Sequence, residues 1–232
     1  MSAQKIAIIG SGISGLTCAS LLHRNHQITI FEANNYIGGH TNTVEVHHKD
    51  QTFLVDTGFI VSNDRNYDNF LKLMSKLDVS LQPTEMSFSV RNDKLNLEYN
   101  GHNLNTLFSQ RLNFFRPKFY QLVLDILKFN KAAKAFIANN HSEPLKLSEF
   151  IAVHKLSDTF KNNYLLPMVA AIWSCSLQQA EEFPIEFFVK FFHHHGLLDI
   201  KNRPQWYVIK GGSKTYVKPL ISPFEDRIKL NC

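Results

Sequence analysis

Residues 5–15 read KIAIIGSGISG, and this stretch decides the fold. KIAII is a short, β-branched apolar run of the kind that forms a strand covered on both faces of a parallel sheet. The glycines after it, Gly10, Gly12 and Gly15, stand in G-x-G-x-x-G spacing. In that spacing the first glycine turns the chain off the strand, the second lets the backbone approach a pyrophosphate, and the third lets a new helix pack on the strand. Leu16, Ala19 and Leu22 fill a helix expected from about residue 13 to residue 23, its free N–H groups and positive dipole end facing the turn. A second strand, residues 28–31, ends in Glu32, 22 positions after Gly10, where a carboxylate can accept from ribose hydroxyls. Strand, glycines, helix, strand and acid in this order predict a dinucleotide-binding βαβ unit. A glycine-rich turn that binds nothing would leave Glu32 as an ordinary surface acid.

Working outward, the 232 residues are 44% hydrophobic and 19% charged, enough to bury a sizeable core, which excludes a disordered chain. The net charge of +5 is spread along the sequence apart from one helical stretch, so nucleic acid is not an expected partner. Cys18, Cys175 and Cys232 lie far apart without C-x-x-C spacing, which suggests neither a disulfide framework nor zinc and points to a reducing, cytoplasmic compartment. Glycines interrupt the N-terminal apolar run, which argues against a signal peptide, and no run reaches the roughly 18 apolar residues of a membrane span.

Six residues after Glu32 comes a second glycine pair, in EANNYIGGHTNTVEV, residues 32–46. This run resembles the glycine-pair element that follows the ribose acid in the flavoprotein superfamily of amine oxidases, protoporphyrinogen oxidases and carotenoid desaturases. Residues 53–61, FLVDTGFIV, are similar to the strand and D-x-G turn that come next there, and residues 205–220, QWYVIKGGSKTYVKPL, to its later glycine pair opening a helix. Within the superfamily the chain is most similar to a bacterial group of NAD/FAD-binding oxidoreductases in which GGHTNT, AAIWS and KGGS recur. The resemblance implies FAD as cofactor and an amine or an apolar, lipid-like small molecule as substrate. Gly10, Ser11, Gly12, Ile13, Ser14 and Gly15 would then hold the phosphates, Glu32 and Ala33 the ribose, and Gly38, Gly39, His40 and Thr41 a second phosphate wall. His40 departs from the arginine that many members carry, whose charge is fixed, and implies a weaker phosphate contact. The last residues, EDRIKLNC, read as a strand just beginning, so a truncated chain, or one completed by a separately encoded C-terminal half, is a further expectation.

The middle of the chain is expected to form a substrate-side lobe. Hairpins are predicted around Lys49 and Asp50 and around Asn92 and Asp93, followed by helices from about Asn103. Phe119, Leu122, Val123, Ile126, Leu127, Ala133 and Phe136 recur at three- and four-residue steps, while Lys128, Lys131 and Lys134 share another face. That pattern reads as a core helix with a solvated lysine face; the alternative is a basic aromatic surface resting on anionic lipid, a peripheral membrane contact. Phe183, Phe187, Phe188, Phe191 and Phe192 cluster on a helix opened by Pro184, a core stripe by preference and a tunnel lining otherwise. Trp173 has the same two readings, with the resemblance favouring the site. His193, His194 and His195 are consecutive, about 100° apart on a helix, which is wrong for chelation, so no metal is expected. Asp56, Thr57 and Gly58 match the catalytic triplet of retroviral-type aspartic proteases, but that chemistry needs two aspartates sharing a proton and only one such triplet is present.

The expected architecture is therefore α/β: a Rossmann-type FAD-binding βαβ segment at 1–62, a substrate-side lobe, hairpins then mostly helical, at 63–204, and a return to the FAD-binding domain at 205–232. The expected activity is an FAD-dependent oxidoreductase passing a hydride equivalent from substrate to flavin, with no catalytic base identifiable. The alternatives are a nucleotide-binding fragment that needs a C-terminal half, and an NAD-dependent dehydrogenase.

Overall fold

The structure is a computed structural model that describes residues 2–139 and 145–232. The chain divides into two compact units, Met1–Glu85 with Gln205–Cys232, and Met86–Pro204.

The first unit opens with strand β1 (Lys5–Ile9), helix α1 (Ile13–Leu22) and strand β2 (Gln27–Phe31). β1 and β2 pair in parallel from Lys5 opposite Gln27 to Ile9 opposite Phe31, the geometry a crossover helix imposes. The hairpin β3 (Thr43–His48) and β4 (Gln51–Asp56) turns at Lys49 and Asp50, with Lys49 in the left-handed region at φ 53°. Strand β5 (Ser62–Asn63), helix α2 (Asp68–Lys76) and strand β6 (Leu81–Thr84) complete the segment.

In the second unit, strands β7 (Ser89–Asn92) and β8 (Leu97–Asn100) form an antiparallel ribbon. Helices follow: α3 (Leu104–Leu107), α4 (Pro117–Ala138), α5 (Leu147–Val153), α6 (Asp158–Phe160), α7 (Leu166–Trp173), α8 (Leu177–Glu181) and α9 (Ile185–His194). The chain then returns to the first unit as β9 (Trp206–Ile209), α10 (Val217–Ile221) and β10 (Ile228–Lys229). β10 joins β2 in parallel, giving the order β1-β2-β10, and β9 lies between β5 and β6 in a separate antiparallel sheet.

Two expectations are corrected here. Residues 63–85, assigned by sequence to the lobe beyond residue 62, belong to the first unit: β6 pairs along all of β9, and Met74 of α2 is buried in one core with Ile8, Ile30 and Tyr216. The second hairpin turns later than Asn92 and Asp93. Asn92 lies within β7 opposite Leu97, its side chain accepts from the Leu95 N–H, and Asn96 takes the left-handed position at φ 46°, a conformation asparagine tolerates.

Each unit has its own hydrophobic core. In the second unit α4 starts on Pro117, whose missing N–H costs nothing in a first turn, and buries Phe119, Leu122, Phe129 and Ala133. Phe129 meets the rings of Phe150, Phe160 and Phe188 at 5.9, 5.5 and 6.0 Å. Phe188 and Phe192 of the phenylalanine stripe are fully buried in this core, so for these two the packing reading holds.

α6 runs through a π-helical turn at Lys161–Leu165 into α7. Pro167 has no N–H to offer the carbonyl four residues earlier, that of Asn163, and the Tyr99 hydroxyl donates to that carbonyl at 2.7 Å. Burial raises the Tyr99 pKa and keeps it a donor. Tyr99→Phe is expected to lower stability by about 1–2 kcal/mol, measured by chemical denaturation, because it leaves a buried acceptor without this donor; an unchanged midpoint would remove the hydroxyl from the account of the π-turn.

Candidate functional site

The site is assembled at the carboxyl ends of β1 and β2, where α/β folds place their ligands. Gly10 leaves β1 at φ 92°, a conformation that favours glycine, and its N–H donates to the Phe31 carbonyl at 2.8 Å, locking the turn to β2. A Cβ on Gly15 would lie 2.1 Å from the Gly10 carbonyl oxygen, so α1 packs on the strand end with no room for a side chain. Gly12 is different. Its backbone is ordinary, with φ −68°, and a Cβ there would meet no protein atom within 4 Å. It is the N-cap of α1, which has neither a side-chain cap nor an acidic residue in its first turn.

The second glycine pair closes against the first. A Cβ on Gly39 would come within 3.1 Å of Gly12 Cα, and the Gly38 N–H donates to the Ser11 carbonyl at 3.1 Å. Between the turns lies a cleft of about 560 Å³. Gly10, Gly12, Ile13, Ser14 and Gly15 line one side of it and Gly38, Gly39, His40 and Thr41 another. Phe59, Tyr67, Phe70 and Tyr216 add an aromatic wall that the sequence did not single out. Phe70 stands edge-on to Phe59 at 5.0 Å and to Tyr216 at 5.9 Å, and the Tyr216 hydroxyl shares a short hydrogen bond with Thr41 Oγ1. Burial raises the Tyr216 pKa.

Three of the expected residues do not line the cleft. Ser11 is fully buried behind it, Ala33 is exposed beyond β2, and Glu32 is only 5% exposed. Glu32 Oε2 accepts from the Ser11 N–H at 2.8 Å and the Ser11 hydroxyl at 2.5 Å, while Oε1 accepts from Asn34 N–H and Nδ2 at 2.9 and 3.0 Å. A carboxylate has about four acceptor positions, so in this structure the whole group clasps the first glycine turn to the end of β2. These donors, the Ser11 hydroxyl first, pull the Glu32 pKa down to about 2.

Asp56 of the D-T-G triplet has a further role that the sequence missed. Its carboxylate accepts from the Thr43 hydroxyl at 2.6 Å, the Ser213 N–H at 2.8 Å and the Ser213 hydroxyl at 2.8 Å, tying the β3–β4 hairpin to the turn after β9. That turn needs glycine, since Gly211 and Gly212 have φ 85° and 89° and a Cβ on Gly212 would lie 2.4 Å from Thr43 Cγ2. Gly58 fits as closely, a Cβ there falling 2.1 Å from the His40 carbonyl oxygen. The triplet thus acts as a clasp beneath the second glycine pair.

In the second unit Trp173 packs with Phe183 and Phe191 at 4.9 Å each, and Phe187 at 5.7 Å, of which Phe187 is exposed. The His195 ring stacks on Phe191 at 3.9 Å, whereas His193 and His194 are exposed with rings 6.0 Å apart.

Comparison with known proteins agrees with this geometry. Residues 8–77 match the family described as the NAD(P)-binding Rossmann-like domain, which defines the class of the first unit. Tryptophan 2-monooxygenase of Allorhizobium ampelinum is 56% identical over 41 residues, 17% of this chain and 6% of that protein. The 4,4'-diapophytoene desaturase of Staphylococcus aureus is 33% identical over 82 residues, 30% of this chain and 16% of that protein. The fold of the entire chain matches cyclohexylamine oxidase from Brevibacterium oxydans with a TM-score of 0.70 at 15% identity, and putrescine oxidase with 0.68 at 16%. In both cases all of this chain covers 51% of the other, so it spans about half the length of these structures. At 15 and 16% identity the structural matches show a shared fold, and the two sequence relatives are similar over local stretches of this chain.

The depressed Glu32 pKa fixes a pH signature. An unfolded glutamate titrates near 4.5 and the folded one near 2, so the clasp's stabilisation is complete above about pH 4.5 and disappears as pH falls toward 2. Thermal melts from pH 7 to pH 2 should show this loss in the native chain and a smaller one in Glu32→Gln; equal pH dependence in both would exclude the clasp.

Proposed function

We propose that the cleft binds FAD and that the chain is the nucleotide-binding portion of an FAD-dependent oxidoreductase, one that takes a hydride equivalent from an amine or an apolar, lipid-like small molecule. Gly12 carries the proposal. Gly15 is glycine because the protein's own backbone excludes a side chain, whereas a Cβ on Gly12 would project only into the cleft. The requirement for glycine at 12 is accounted for by a ligand backbone approaching there, as a pyrophosphate does at a helix N-terminus.

The residues present fit such a group. The uncapped N–H groups of α1 point a positive dipole end at the cleft, and Gly38, Gly39, His40 and Thr41 supply the opposing wall. That second wall favours FAD over NAD because its glycine pair resembles the element that follows the ribose acid in flavoproteins. For Glu32 to take a ribose hydroxyl, either the Ser11 hydroxyl or Asn34 Nδ2 must turn aside, the backbone N–H donors remaining in place. When bound, the flavin supplies two-electron acceptance; the chain supplies position, hydrogen bonds and exclusion of water. The unpaired cysteines support a reducing compartment such as the cytoplasm.

A second reading, a nucleotide-binding part without turnover of its own, is favoured by one observation. Among the described residues no strand pairs with the outer edge of β1, and Ile9 at its end is 82% exposed. Parallel strands are ordinarily covered on every side, so a further segment adding a strand there would extend the sheet beside the cleft.

The test is a visible spectrum of the purified chain with identification of any released cofactor, followed by titration of the apoprotein with FAD and with NAD. Flavin bands or saturable FAD uptake are expected. Gly12→Ala should keep the native melting temperature within a few degrees and weaken FAD binding at least tenfold, about 1.4 kcal/mol or more. Gly15→Ala should lose stability outright. Unchanged FAD affinity in Gly12→Ala would overturn the assignment, and binding without reduction by any amine or lipid substrate would select the second reading.

A further inference from the structure

The outward face of α4 exposes the lysines its apolar periodicity leaves to solvent, and beside them a stripe of large apolar side chains. Tyr120, Leu124 and Leu127 follow one another at i, i+4 and i+7 on that face and are 44%, 64% and 42% exposed. The stripe continues N-terminally, because the Tyr120 hydroxyl donates to the Phe114 carbonyl at 3.1 Å and the half-exposed Phe114 ring stacks on Phe108 at 4.3 Å. Phe115, 83% exposed, lies in the same turn before the helix. The exposed charges that α4 itself carries are all positive. Lys128 and Lys131 fall four residues beyond Leu124 and Leu127, and Lys118 is exposed at the N-terminal end. The helix's only carboxylate, Asp125, is buried and accepts from the Ser157 N–H at 3.0 Å.

We propose that this face, from the 111–115 turn along α4, docks on the surface of an anionic lipid bilayer. Charge complementarity selects that occupant: aromatic and leucine side chains flanked by exposed lysines, on a helix whose own acid is buried, suit the boundary where acyl chains meet negative headgroups. Lysine stems can lie along the apolar stripe while their ammonium groups reach the phosphates. Among the described residues no helix is long and apolar enough to cross a membrane, so α4 lies along the surface rather than through it. The proposal does not depend on the cofactor assigned above.

Flotation of the chain with vesicles tests it. Phosphatidylcholine vesicles containing about a third phosphatidylglycerol should carry the chain upward, pure phosphatidylcholine vesicles should carry at least tenfold less, and 0.5 M salt should weaken the association, since the charge term is screened. Leu124→Asp and Phe115→Asp, at exposed positions that leave the core intact, should each reduce binding at least tenfold with unchanged melting temperature. Failure to float with anionic vesicles would overturn the proposal, as would binding indifferent to both substitutions. A dimer that Leu124→Asp dissolves, without vesicle binding, would assign the face to a second copy instead.

Discussion

The first unit depends on one steric constraint, the approach of α1 to the end of β1. The Gly10 carbonyl occupies the place where any side chain on residue 15 would sit, so the helix can begin only as a continuation of that turn. Once it does, its free N–H groups are aimed into the space above the strand ends, and the rest of the unit is arranged around that space. Gly39 closes on Gly12, the Glu32 carboxylate joins the turn to β2, and Asp56 holds the β3–β4 hairpin to the turn after β9. The last two of these contacts are polar and at least partly enclosed. They therefore fix geometry more firmly than an equal area of apolar surface would, because an unmade buried hydrogen bond costs the desolvation of its partner.

Much of this was legible in the sequence because the nucleotide motif is local. Three glycines within six residues, flanked by a strand and a helix, specify a turn with little reference to distant parts of the chain, and Gly38 and Gly39 follow soon after. What the sequence left obscure is carried by pairs far apart in the chain. Asp56 and Ser213 are 157 positions apart, and Thr41 and Tyr216 are 175 apart, so no periodicity relates them. The D-T-G triplet looked like catalytic chemistry for that reason, its partners being invisible. Glu32 was read as a ribose ligand from its position, but position alone did not reveal that Ser11 and Asn34 fill its acceptor sites. The lobe boundary at 62 failed in the same way, since the pairing of β6 with β9 joins residues more than a hundred positions apart.

The second unit shows how far a hydrophobic period can be trusted. The three- and four-residue steps along 119–136 located α4 and much of its buried face, but Leu127, counted in that face, is 42% exposed. They did not distinguish a lysine-rich face that meets water from one that also displays tyrosine and leucine, because the buried set satisfies the period on its own. The π-turn before α7 was equally hidden, although its cause, a proline one turn beyond Asn163, stood in the sequence.

The central claim is that the two glycine turns together form a pyrophosphate site. It is tested most directly by assigning the backbone amides of the first unit and following them by NMR as FAD is added. The account predicts that the amides of Gly12, Ile13, Ser14 and Gly39 shift first and furthest, saturating together, while those of the β3–β4 hairpin tip move little. Shifts centred elsewhere, or saturating binding that leaves the Gly12 and Gly39 amides unmoved, would contradict it.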